Sequence, residues 1–88
     1  MSLIGISGSM GTTQSNLVNL IRKGRVSPSI SGTLNTTASS VEDFINGRAS
    51  VGIASVLGTT TSTAQDLRNE IGREGAIGLI IGLCINNK

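Results

Sequence analysis

Apolar residues in the stretch 53–72 recur at helical spacing in two short runs. The two pairs, four and three residues apart, are Ile53 with Leu57 and Ala64 with Leu67. Such spacings place each pair on one face of an α-helix. Gly58 and a cluster of Thr and Ser residues lie between the pairs. Glycine adopts a positive φ without steric cost, and a hydroxyl can cap the next helix. The stretch therefore predicts two short helices joined by a tight turn.

Two upstream stretches repeat this pattern. Their four apolar positions are Ile6, Met10, Leu17 and Leu20 in one copy and Ile30, Leu34, Val41 and Phe44 in the other. The three copies begin at residues 6, 30 and 53, which gives spacings of 24 and 23 residues. Repeats of this length are typical of one supersecondary unit used several times. The apolar run near the C-terminus suggests a partial fourth copy whose first pair is Leu79 and Leu83.

Two further positions of the repeat support a chain that folds back on itself. The turn position is occupied by Gly11, Asn35 and Gly58. After Gly, Asn is among the residues that most readily adopt a left-handed conformation. A small residue follows the first apolar residue of each copy: Ser7, Ser31 and Ala54. We expect this residue to be small because the second helix crosses close to it.

This unit resembles the helix-turn-helix of DNA-binding proteins, including the phage-repressor type. That family has an apolar, a small and an apolar residue, then Gly at the turn and apolar residues on the second helix, and all three copies fit this spacing. Repressor-type domains place a longer helix after the segment that here ends in Asn46 and Gly47. Ile53 follows too soon for that helix. The resemblance therefore implies tandem helix-turn-helix units and not the complete repressor fold.

The predicted fold is all-α: a small bundle of short helices in one domain, residues 1–88. Its units are expected at about 6–24, 30–48 and 53–72, with an apolar tail at 76–85. The first ten residues are expected to form a weak helix or an arm. A helix capped by Thr12 or Thr13 is predicted to run to Lys23 and to end at Gly24, and Pro28 is predicted in the first turn of the next helix. A helix over Ala38–Asn46 is predicted to be capped by Thr36 or Thr37 and to end at Gly47. Two more helices are predicted, one over Ser50–Leu57 and one from after Gly58 to about Ile71.

The apolar tail Ala76–Ile85 has two interpretations. As a helix, its glycines, Gly75, Gly78 and Gly82, leave a smooth face that another helix can approach closely. As a strand, its branched residues favour pairing with another chain. We favour the helix because the tail resembles the start of the repeat. In either form it is too apolar to stay exposed, so we expect a role in the core or in self-association.

Composition argues against most catalytic and membrane functions. The chain has 88 residues, a net charge of +2 and no His, so a zinc site or a His-based catalytic triad is not expected. The glycine-rich N-terminal segment lacks the Gly-Lys-Ser/Thr triplet of a phosphate loop. Cys84 lies in an apolar run, which favours a buried and inert thiol. We expect no enzyme activity, metal or cofactor, no membrane span, and a cytoplasmic location.

Short polar residues and cations on the second helices are candidates for binding double-stranded DNA. The candidates are Gln14, Ser15, Asn19, Arg22, Lys23 and Arg25 in the first copy and Thr61, Ser62, Gln65, Arg68 and Arg73 in the third. The middle copy is excluded because Glu42 and Asp43 would repel phosphates. The competing interpretation is that the Thr and Ser residues only cap helices and that the Arg residues only solubilise the surface.

Two main hypotheses for function follow. The first is a non-catalytic phage or plasmid regulator of transcription that binds DNA by sequence or shape and acts as a homo-oligomer, self-associating through Ala76–Ile85. The second is a self-assembling structural protein of a virion or filament, in which the helical repeats are packing units. Low charge, with 14% of residues charged, and the many small residues favour this alternative. A third and weaker hypothesis, drawn from the tail, is a membrane-active peptide.

Overall fold

A computed structural model describes residues 2–87, and these residues form six helices and no strand. The helices are α1 Leu3–Met10, α2 Gln14–Lys23, α3 Pro28–Thr33, α4 Ala38–Ile45, α5 Val51–Leu57 and α6 Thr61–Asn86. The prediction of a small all-α bundle is confirmed, and the first ten residues contribute a helix and not an arm. The predicted domain 1–88 includes Met1 and Lys88, which lie outside the described residues.

The chain turns back at the three predicted positions, and each turn has the same geometry. Gly11, Asn35 and Gly58 have φ values of 80°, 59° and 69°. In each turn the next residue donates its backbone N–H to the carbonyl of the small residue of the repeat. These bonds are Thr12 to Ser7 at 2.9 Å, Thr36 to Ser31 at 3.1 Å and Thr59 to Ala54 at 3.0 Å. The second helix of each pair then begins three residues after the turn residue.

Threonine caps the second helix in each of the three units. The hydroxyls of Thr13, Thr37 and Thr60 accept the N–H of the residue three positions later, at 3.1, 3.1 and 3.2 Å. The caps are therefore the second of the two alternatives predicted in each of the first two copies. The other predicted stops hold to within a residue: Gly24 ends α2 with φ 64°, and Asn46 and Gly47 follow the last residue of α4.

The repeat positions build the core. Its largest fully buried side chains are Phe44, Met10, Leu17, Leu20, Ile30, Ile45, Ile53, Ile80, Val41 and Cys84. The small residues are buried as expected: Ser7, Ser31 and Ala54 are 3%, 5% and 4% exposed. The two serine hydroxyls donate to carbonyls of their own helices, at Ile4 and Pro28. Both serine hydroxyls are therefore hydrogen-bonded although they are buried where the helices cross closely.

Of the twelve apolar repeat positions, nine are buried, Ile6 and Leu57 are half-buried, and Leu67 is exposed. Leu67 is 37% exposed, whereas Leu20 and Phe44, which hold the same place in the other copies, are fully buried. The buried side of this part of α6 instead carries Ala64, with Gln65 and Arg68 half-buried. Both polar side chains are hydrogen-bonded to backbone groups at and beyond the end of α4. These bonds turn that side of α6 toward α4 and leave Leu67 at the edge of the contact.

A glycine kink divides α6 into a first segment, 61–71, and a second segment, 73–86. Gly72 has φ 71° and ψ −177°, a conformation that is essentially restricted to glycine. The second segment contains the apolar tail, which is helical as favoured above. It buries Ala76, Ile77, Ile80 and Cys84, and α6 packs on α1, α4 and α5. Leu79 and Leu83 are only half-buried and the helix continues to Asn86 without a turn, so the fourth copy is not formed.

The kink at Gly72 leads to a test of stability. We expect Gly72→Ala to lower the free energy of unfolding by about 1–3 kcal/mol, because alanine cannot adopt this φ and ψ without strain. The measurement is urea denaturation followed by circular dichroism. Gly5→Ala is the matched control, because Gly5 is helical and exposed and a Cβ there would meet no atom within 4 Å. An unchanged stability of Gly72→Ala would contradict the kinked conformation.

Candidate nucleic-acid interface

The helix α2 presents a polar and cationic surface to solvent. Its apolar residues Leu17 and Leu20 are fully buried against the core. At 100° of rotation per residue, Ser15 and Arg22 lie on the side opposite these two residues. Both are exposed. Asn19 lies one turn after Ser15 and one turn before Arg22 and is half-buried. Gln14 and Lys23, at the two ends of the helix, are exposed. The six nominated residues of the first copy thus include five exposed side chains, with Arg25 in the following loop.

Alignment of the three units on their turns shows how α2 differs from its two counterparts. Where α2 has Asn19, the second helices of the other units have Asp43 and Asp66. Where α2 has Arg22, the third unit has Asn69 in α6 and the second has Asn46, directly after α4. All four of those counterparts are exposed. Compared with the other two units, the first unit therefore has a neutral residue in place of an acid at the position of Asn19 and a cation in place of a neutral residue at the position of Arg22.

The charges of the three second helices follow the same division. The helix α2 contains two cations, Arg22 and Lys23, and no acid. By contrast α4 contains two acids, Glu42 and Asp43, and no cation. Segment 61–71 of α6 contains two acids and one cation, whose guanidinium is bound internally. Since DNA presents a dense array of phosphates, α2 has the surface best suited to approach it.

The fold brings a fourth cation to the C-terminal end of α2. Arg73 follows the kink in α6, and its Nη1 lies 3.5 Å from the carbonyl oxygen of Ile21. A Cβ placed on Gly24 would lie 3.3 Å from Nη2 of Arg73. Arg22, Lys23, Arg25 and Arg73 therefore surround the end of one helix, although Arg73 is distant in sequence. Cations at this end are favoured by the negative pole of the helix dipole.

A polar depression of about 250 Å³ lies beside the α2 surface. Its lining residues are Asn16, Asn19, Arg25, Val26, Ser27 and Glu42. The Glu42 carboxylate accepts the Val26 N–H at 3.0 Å, which ties the loop after α2 to α4. Sequence reasoning missed Asn16 and Ser27 as neighbours of the candidate residues. The only available signal was the spacing of three between Asn16 and Asn19, which places them on neighbouring positions of one helix.

The nominated residues Gln65 and Arg68 have internal partners. Arg68 donates from Nε to the Phe44 carbonyl at 2.6 Å and from Nη2 to the Ile45 carbonyl at 2.7 Å. Gln65 accepts the Ala49 N–H at 2.9 Å and donates to the Gly47 carbonyl at 2.9 Å. The Arg68 bonds reach the last two carbonyls of α4, of which Phe44 also accepts the Gly47 N–H at 3.2 Å, and the Gln65 bonds reach the loop that follows α4. Both side chains hold α6 to α4, a role that the sequence-based prediction did not include.

The remaining nominated residues, Thr61 and Ser62, are exposed in the first turn of α6. They lie at the start of segment 61–71, whereas Arg73 follows the kink at its other end. Thr60, just before them, makes the capping contact, so neither hydroxyl serves as the predicted type of cap. The structure therefore groups the candidates into one set around α2 that includes Arg73 and a separate pair at the start of α6.

The chemistry available elsewhere is limited. Burial raises the pKa of the Cys84 thiol, and Sγ lies 3.8 Å from the Ile30 carbonyl oxygen. The thiol is buried, as expected from its apolar surroundings. Across residues 2–87, no three His, Cys, Asp or Glu side chains lie close enough to hold a metal ion. Over the same residues, no helix combines the length and apolar character that crossing a membrane requires.

Comparisons with protein families, curated proteins and solved structures found no match to this chain.

The internal hydrogen bonds of Arg68 generate a second test. We expect Arg68→Met to lower the free energy of unfolding by about 1–3 kcal/mol while the aliphatic bulk is kept, because the Ile45 carbonyl loses its Arg68 donor and the Phe44 carbonyl keeps only the Gly47 N–H. Urea denaturation measures this loss. The control is Arg48→Met, at an exposed arginine, which we expect to change stability by less than about 0.5 kcal/mol. Equal stabilities of the two variants would argue that Arg68 is free to act at the surface.

Proposed function

We propose that this protein binds double-stranded DNA without catalysis, as a small helix-turn-helix regulator that reads DNA through α2. The observation that carries this proposal is the divergence of the repeats. Three units share one backbone design, but only the first replaces an exposed Asp by Asn19 and an exposed Asn by Arg22. Packing does not require this change, because the other two units fold with the acidic pattern.

The two halves of α2 have different roles in this proposal. Gln14, Ser15 and Asn19 contact base edges, since residues near the start of a recognition helix reach the major groove. Arg22, Lys23, Arg25 and Arg73 contact phosphates, which supply most of the affinity and fix the register. Gln65 and Arg68 are left out because their polar groups hold α6 to α4. Thr61 and Ser62 are left out because their helix carries a net negative surface.

The repeat alignment provides a direct test of DNA binding. The double variant Asn19→Asp, Arg22→Asn gives α2 the surface residues of α4 and α6, so we expect it to fold normally. We expect its affinity for duplex DNA to fall by at least about tenfold and its salt dependence to become shallower by about one unit of slope, because one phosphate contact is lost. Fluorescence anisotropy on mixed-sequence duplexes, repeated over a range of salt concentrations, measures both quantities.

The matched control for this test is Arg48→Asn, Asn86→Asp. It makes the same change in net charge at two other exposed positions. We expect its affinity and salt slope to stay close to those of the wild type. Equal loss of affinity in the two double variants would attribute binding to net charge alone, and absence of binding by the wild type would contradict the proposal itself.

Large apolar side chains exposed on separate helices favour a second candidate, a self-assembling structural subunit of a virion or filament. Val51 on α5 is 74% exposed and Ile4 on α1 is 66% exposed. Val51 and Ile4 lie on different helices, and contacts through two different places on one molecule are those from which rings and filaments are built.

Sedimentation velocity without DNA distinguishes the two candidates. If the second is correct, we expect large regular particles in the wild type and their loss in Val51→Asp, because a charge in an apolar contact is costly to bury. Thr59→Asp, at an exposed position in the turn before α6, is the control for the added charge. A wild-type species no larger than a dimer would rule the assembly candidate out and leave the regulator.

A further inference from the structure

An apolar groove of about 340 Å³ lies between α2 and the second segment of α6. Its lining residues are Ile21, Arg73, Glu74, Ile77, Gly78 and Ile81. Ile21 is 39% exposed, which is unusual for a large apolar residue whose neighbours in α2, Leu17 and Leu20, are fully buried. The groove therefore has an apolar rim and centre and carries two charged residues at the start of the α6 segment.

We infer that this groove is the surface through which a second copy of the chain binds, in a two-fold symmetric dimer. The floor allows close approach, because Gly78 is exposed and a Cβ placed on it would meet no atom within 4 Å. Gly82, one turn later on the same side, is equally open, and Ile85 beyond it is 42% exposed. A large apolar side chain of another molecule can thus rest directly on the helix backbone.

The groove is complementary to itself in shape and in charge. Ile21 projects from the rim and the groove accepts an apolar side chain, so Ile21 of the partner subunit is a suitable occupant. Arg73 and Glu74 are adjacent and of opposite charge. In a two-fold interface every contact occurs twice, so Arg73 of each subunit can face Glu74 of the partner subunit. A partner of one predominant charge would gain no such pairing, which favours a second copy as the occupant.

The groove is small compared with a stable dimer interface. A stable specific interface covers about 800 Å² on each partner. That is about a sixth of the 4782 Å² of accessible surface on this chain. The groove and Ile85 provide only the apolar centre of such an area. We therefore expect reversible association and a monomer that folds alone.

This dimer does not use the α2 residues proposed to contact DNA, but it does use Arg73, which the proposed function also assigns to phosphates. Ile21 and Arg22 are consecutive in α2 and therefore point about 100° apart around the helix axis. Ile21 faces the groove while Arg22 belongs to the opposite, solvent-exposed side. The dimer rests on the proposed function only in naming the surface through which the regulator would form an oligomer. Dimerisation itself can be tested without DNA. The proposed surface also narrows the predicted self-association segment, because Ala76, Ile80 and Cys84 are buried within the monomer.

The test is sedimentation equilibrium of the wild type and of Gly78→Gln, without DNA. Glutamine is a good helix former, so the monomer is expected to stay folded while its side chain blocks the groove. We expect a monomer–dimer equilibrium in the wild type and a dissociation constant raised at least about tenfold in Gly78→Gln. Gly5→Gln is the matched control, at an exposed and open helical glycine far from this groove in sequence, and we expect wild-type association.

A pair of charge variants tests the symmetry of the contact. Glu74→Arg alone places like charges opposite each other and is expected to weaken association. The double variant Arg73→Glu, Glu74→Arg restores opposite charges across the two-fold axis and is expected to recover it. A wild type that stays monomeric up to about 1 mM, which is weaker than specific interfaces usually are, would overturn the inference. So would equal effects of Gly78→Gln and Gly5→Gln. Loss of DNA binding with normal dimerisation would refute only the proposed function.

Discussion

The structure depends on one local constraint, a left-handed turn that reverses the chain three times. At Gly11, Asn35 and Gly58 the positive φ lets the next N–H return to the carbonyl five residues earlier. The helices before these turns contain only eight, six and seven residues. Helices of that length are unstable alone, so each must be held by its partner. The turn brings the partner helix into contact directly, because the next helix then packs across the small residue. The carbonyl of that small residue accepts the hydrogen bond from the turn.

Once the backbone design is repeated, its surfaces are free to diverge. The same helical position carries Val18 in the first unit, Glu42 in the second and Gln65 in the third. Glu42 binds the backbone N–H of Val26, and Gln65 binds backbone groups at Gly47 and Ala49. The second and third units therefore use their polar side chains to hold the loops between helices. The first unit has no such contact at Val18; its Thr12 and Asn16 contact Ser29 of α3, while Ser15 and Arg22 remain exposed. This difference separates the structural units from the candidate interface.

The features that sequence predicted well are those fixed by neighbouring residues. Positive φ at Asn35 and a threonine cap, at Thr12 or Thr13 and at Thr36 or Thr37, follow from local stereochemistry, and helical spacing correctly predicted seven of the eight apolar positions of the first two units as buried. The errors lie where distant segments decide. Leu67 has the spacing of a core residue, but the bonds from Arg68 to the end of α4 rotate it outward. No local pattern distinguishes that arginine from one that would face a phosphate.

The candidate site was partly predictable for the same reason. The cations at the end of α2 are adjacent in sequence, whereas Arg73 reaches them only because Gly72 redirects α6. The three glycines after the kink, Gly75, Gly78 and Gly82, have different roles, and their spacing in the sequence does not reveal which role each one has. A Cβ on Gly75 would lie 2.6 Å from that of Ile71, so this glycine accommodates the kink, while Gly78 and Gly82 face open space. If the last two served the monomer alone, alanine would strengthen the helix at both positions without any steric cost. Gly5 and Gly32 are equally open helical glycines, so it is the apolar groove beside Gly78, and not the missing side chain alone, that supports the proposed dimer surface.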